Sequence, residues 1–183
     1  MTLESKDGQK SEKQIAWERK LTEINQITDK LGMPIDEGIK EIVALLQLNG
    51  INTTGSHEGK IDRYPIPYVD IESPDIAELE EKFESLEDVD SEEGERLNHK
   101  ILELNLIERK KLIPLLEEFY LDRTVPYEVR LGITGLARGW SRLESNGADF
   151  QEVEKGEKAK KERLASFQEE IEEFKEFLKS KYF

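Results

Sequence analysis

Cysteine is absent from this chain. Its absence excludes a disulfide framework and a thiolate zinc knuckle, and it fits a reducing, cytoplasmic home. No apolar run approaches the roughly 20 residues that span a bilayer, so no membrane partner is expected. Met1 to Lys13 is polar and lacks the apolar core of a signal peptide. Histidine is scarce: the chain has 2, His57 and His99. A three-ligand zinc site would therefore need carboxylates to complete it. Basic residues are outnumbered, 27 against 41 acidic, for a formal charge of -14. That field repels nucleic acid and anionic membrane at long range.

What is present predicts an α+β fold. The expected core is a small, mostly antiparallel sheet of about four strands covered by amphipathic helices, with long helices at both termini. A chain of 183 residues buries most of its apolar surface without staples. Residues 1–11 are expected to form a disordered tail, and 12–183 one domain with an acidic linker near 87–94. Ser11 is a candidate cap for a first helix whose face is Trp17, Leu21, Ile24, Thr28 and Leu31, with Gly32 as its stop. Pro34 suits the start of the next helix, with Asp36 and Glu37 near its positive end and Gly50 as its stop. Residues 51–56 and 66–72 are candidate strands. Ser73 caps a second proline-led helix, which runs to about Leu86.

A long helix should follow, marked by Leu97, Ile101, Leu104, Ile107, Leu112, Leu115 and Phe119. Pro114 must kink or break it, and Asn105 and His99 are expected to face outward or make a local bond. Residues 125–135 and 138–145 suggest a hairpin. Trp140 and Leu143 share no two-residue phase, so a bulge or wide turn is expected there. The last helix should open near Phe150 or Glu154. Its Leu164, Phe167, Ile171, Phe174 and Leu178 repeat at alternating spacings of three and four, the pattern of a coiled-coil seam or of a helix docked on a core. Glu72 to Glu95 holds a run of acids interrupted by Lys82 alone; it is either a solvated face or a surface for a basic partner.

The densest cluster of functional groups lies between the first two strands. Gly55 and Gly59 bracket Ser56, His57 and Glu58, and glycines permit turns closed to other residues. Successive backbone N–H groups there can hold an anion, with Lys60 and Arg63 adding charge. The spacing is neither a P-loop nor a dinucleotide fingerprint. His57 with Glu58, Asp62 and Asp70 can form an acid–base pair or bind a divalent metal; equally, His57 can be a turn residue bonded to its own loop. Tyr64, Pro65, Pro67 and Tyr68 suggest a rigid rim, faced from the hairpin by Arg130, Arg138, Trp140 and Arg142 as an arginine-rich, anion-reading wall. The alternative is that these arginines pair with surface acids.

In three of its motifs the chain resembles an uncharacterised group of small bacterial and phage-associated proteins. Pro34-Ile-Asp-Glu-Gly38 matches the group's helix start. Thr54-Gly-Ser-His-Glu-Gly-Lys60 occupies its Thr-x-Ser-Cys-x-Gly-His turn, and Pro67-Tyr-Val-Asp-Ile71 its Pro-x-Val-x-Ile strand. The resemblance covers roughly residues 30–72, with a looser echo in the 125–145 hairpin. His57 stands where the group has cysteine and Lys60 where it has histidine, so thiol chemistry is excluded. The resemblance marks structure and says almost nothing about function.

These features favour a non-enzymatic binding or regulatory protein that acts through a protein partner or through self-association of amphipathic helices. It would need no cofactor. The alternatives are a metal-dependent or acid–base enzyme, or a small-anion sensor, centred on residues 54–63.

Overall fold

The computed structural model describes residues 10–28, 32–150 and 156–183. The expected α+β class holds: the described residues form five α-helices and a four-stranded antiparallel sheet. The helices are α1 (Glu12–Ile24), α2 (Lys40–Leu48), α3 (Ile76–Glu84), α4 (Glu92–Phe119) and α5 (Glu157–Tyr182); a 3-10 turn, Glu37–Ile39, leads into α2. The strands are β1 (Thr53–His57), β2 (Tyr68–Glu72), β3 (Leu131–Gly135) and β4 (Trp140–Ser145), in the order β1-β2-β4-β3.

Strand periodicity divides the sheet into two faces. Val69, Ile71, Leu131 and Leu143 point to the core, where they meet Ile42 and Leu46 of α2, Leu112 and Phe119 of α4, and Phe174 and Leu178 of α5. The other face carries cross-strand pairs: Tyr68 beside Glu144, Asp70 beside Arg142 and Glu72 beside Trp140. α4 lies on β2, β3 and β4, α2 on β1, and both α1 and α5 on α2. The whole α5 seam, Leu164 to Leu178, is buried within the molecule. Tyr120 fastens three elements at one oxygen: its hydroxyl donates to Glu170 of α5 at 2.8 Å and accepts the N–H of Leu131 at 2.7 Å. Burial pushes its phenol well above the ordinary tyrosine range.

Local chemistry sets the boundaries. Ser11 and Ser91 cap α1 and α4 with their side chains. α2 ends as expected at Gly50, at φ +75. Its N–H reaches the Gln47 carbonyl and that of Ile51 the Leu46 carbonyl, the paired bonds of a Schellman motif.

Several expectations are corrected. α1 stops at Ile24, with Asn25 as its cap, and Thr28 instead bridges Pro34; Leu31 lies outside the described residues. Pro34 is thereby engaged ahead of the helix, which starts at the 3-10 turn. α3 opens at Ile76, because the Ser73 hydroxyl and carbonyl accept from Asp75 and Ile76 in a preceding turn. α4 begins at Glu92, so only residues 85–91 join it to α3. Pro114 sits inside α4 without breaking it.

Of the two expectations for Asn105 the outward one fails and the local bond holds: the residue is buried, and its carbonyl oxygen accepts from Arg109 Nε, one turn on, at 2.8 Å and also from the Ser141 hydroxyl at 2.7 Å. Residues 125–130 are not strand, since the Pro126 carbonyl accepts from both Val129 and Arg130 and turns the chain. The β3–β4 register is unbroken; Trp140 and Leu143 simply occupy opposite faces. The irregularity falls in β1, between Thr53 and Gly55. Of the tail expected over residues 1–11, residues 1–9 lie outside the described residues, as does Glu154. Among the described residues, no helix is long and apolar enough to cross a membrane.

Candidate functional site

The connection from β1 to β2 is a strap tied at both sides. At Gly59, φ is +80, a backbone open mainly to glycine; a Cβ there would also stand 2.7 Å from Leu164. The strap folds back on itself where Lys60 N–H donates to the Tyr64 carbonyl at 2.8 Å. On one side it is held by Asp36. That carboxylate accepts from Lys60 Nζ at 2.5 Å and from Glu58 N–H at 3.3 Å. The Glu58 carboxylate in turn accepts Gly38 N–H at 2.8 Å, at the exposed start of the 3-10 turn. On the other side, Gln168 of α5 donates to the carbonyls of Glu58 and Gly59. Burial pushes the Asp36 carboxyl upward, but the Lys60 hydrogen bond, the Glu58 N–H and the nearby charges outweigh it and hold the group below the usual carboxylate range.

His57 closes β1 beside this knot. Its Nδ1 accepts from Gly59 N–H at 2.9 Å, and Nε2 lies 3.8 Å from Asp36. The ring stacks on Tyr68 and meets Tyr64 edge-on, each at 6.0 Å. The guanidinium of Arg142 covers the Tyr68 ring at 3.5 Å and forks onto Asp70 at 2.7 and 3.1 Å. Burial lowers the affinity of Arg142 for its proton, and Asp70 more than restores it. Gly55 makes room for this pair, since a Cβ there would lie 2.9 Å from an Asp70 oxygen.

The sequence candidates therefore separate. Gly55, Ser56, His57, Arg63 and Tyr68 line one cleft of about 410 Å³. Glu58, Gly59 and Lys60 belong to the knot behind it. Asp70 and Arg142 neutralise each other, and Asp62 is exposed. Arg130 lies over Tyr120 and Arg138 over Phe83, both away from the strap. His57 and the Glu58 N–H both approach Asp36, Asp70 is taken up by Arg142, and among the described residues no three His, Asp or Glu groups are placed to hold a metal. Asp36 is the residue that sequence reasoning missed as a site member. Its signal was a carboxylate in the Pro34–Gly38 motif that caps nothing on its own helix.

The cleft runs along the outer edge of β1. Thr53 to His57 share its lining with the apolar residues Ile27, Met33, Pro34, Ile35 and Val43. Among the described residues no strand pairs with that edge. Arg63 is exposed and has no carboxylate partner among the described residues. No known protein family, curated protein or solved structure matches this chain.

Proposed function

We propose that the chain is a non-enzymatic binding protein that takes up an extended segment of another polypeptide along β1. The observation that carries this reading is that β1 is an edge strand with no second neighbour among the described residues and that Thr53–His57 line a cleft together with apolar side chains. An edge strand offers a row of backbone donors and acceptors to an incoming chain. Strand addition draws affinity from those bonds, and specificity from pockets that receive every second side chain. Ile27, Met33 and Ile35 suit apolar side chains, and Arg63 suits a carboxylate near one end of the guest.

The test is a nuclear magnetic resonance titration with short peptides of alternating apolar and acidic residues. Shifts are expected at Thr53–His57, Ile35 and Val43. Methylating alternate peptide nitrogens should abolish them, because each methyl removes a donor to the edge. Binding that ignores the methylation, or shifts that leave β1 untouched, would overturn the reading. A small carboxylate or phosphate is the second reading, favoured by the unpartnered Arg63. It requires acetate or phosphate to shift the Arg63 side-chain resonance while peptides do not.

A further inference from the structure

The inward face of α4 is accounted for by Ile101, Leu112 and Phe119. Its outward face is not polar. Leu102, Leu106, Ile107 and Ile113 are 43%, 54%, 49% and 42% exposed. At about 100° per residue, Leu102, Leu106 and Ile113 fall within roughly 40° of arc. Ile107 sits on the flank that also carries Glu103 and Lys110. Leu102, Leu106 and Ile113 form an exposed apolar stripe in a chain of charge -14, Ile107 lies across the Glu103 and Lys110 row from it, and exposed apolar groups gathered in this way mark contact surfaces.

The charges around the patch specify the occupant. Lys110 and Glu117 are exposed and have no ion-pair partner among the described residues; Glu103 and Arg96 are exposed and hold only neighbours on their own helix. A two-fold axis crossing between Leu106 and Ile107 makes the surface complementary to itself. It sets Glu103 beside Lys110 of a second copy and Arg96 beside Glu117, each pair occurring twice. Glu95 then meets Glu118, whose charge Lys181 already offsets. A parallel, in-register pairing would set each charge against its own duplicate. We infer that α4 is a homodimerisation helix, which packs antiparallel on α4 of a second copy with Leu106 and Ile107 at the axis. This surface is independent of the β1 cleft.

Sedimentation velocity on the full chain at about 0.15 M salt, where screening acts beyond about 8 Å, tests it. The wild type should be dimeric at micromolar concentration, and Leu106→Glu monomeric with an unchanged circular dichroism spectrum. Glu103→Lys and Lys110→Glu should each weaken the dimer by about tenfold, from two lost exposed pairs, and the double exchange should restore it. A wild-type monomer throughout, a dimer indifferent to Leu106→Glu, or a double exchange that fails to restore association would each overturn the inference.

Discussion

Asp36 holds the site together through one carboxylate that serves an ammonium and a backbone N–H at once. Its folded-state pKa lies below the ordinary value of 3.8. Its contribution to stability is therefore complete above about pH 4, and it drains away as pH falls through the depressed folded value. Asp36→Ala removes the acceptor of Glu58 N–H and should cost about 1 kcal/mol for that hydrogen bond alone. Amide exchange should quicken at Glu58 and Gly59, and the acid limb of a urea-midpoint profile should flatten.

The sequence marked the strap, with its two glycines and its histidine, because turn chemistry is local. It could not reveal that Glu58 caps a turn 20 residues away or that Asp36 answers Lys60 across 24. Such pairings depend on how α2 stacks against β1. For the same reason Arg130 and Arg138 were grouped with Arg142: all three flank one hairpin, but only Arg142 lies on the strand face shared with Tyr68 and Asp70.

Elements were legible where one signal dominated. The α5 seam repeats without interruption, and Gly50 supplies the positive φ that a Schellman end requires. Reading failed where two signals competed. Gly32 looked like the stop of α1, yet Asn25 ends the helix earlier and Gly32 turns the chain at φ +76. For Asn105 the pattern allows an outward face or a local bond; Arg109 supplies the local bond, and Ser141 of β4 adds a buried, distant partner that no local signal marks. The join between α3 and α4 makes the clearest element-scale prediction. Gly94 lies under the carbonyl of Val89, and an added Cβ would stand 2.1 Å from that oxygen. Because the obstacle is backbone, Gly94→Ala should destabilise by about 1–3 kcal/mol, read as a lowered urea midpoint. An effect close to zero would mean that residues 85–91 yield freely.

At the scale of the whole molecule, most of the buried apolar residues among those described fall into two clusters. The larger joins the sheet to α2, α4 and α5; the smaller, Ile76, Phe83, Leu97 and Ile101, joins α3 to the first half of α4. Small clusters open below the global unfolding free energy. Native-state hydrogen exchange should therefore show α3 protected less than β2 or β4. Phe83→Ala should speed exchange there while leaving the sheet slow, whereas Phe174→Ala should cost about 3–5 kcal/mol and speed exchange everywhere.

The buried Tyr120 hydroxyl has a consequence for observing these openings. Burial and the bond donated to Glu170 hold the phenol well above the ordinary tyrosine range, against the opposing pull of the Leu131 N–H, so the ring ionises in place far less readily than an exposed tyrosine. Tyrosinate absorbance from this ring is therefore expected to rise chiefly as α4, β3 and α5 come apart. An alkaline jump thus turns one side chain into a chromophoric clock, whose slow phase reports how often the three elements part company.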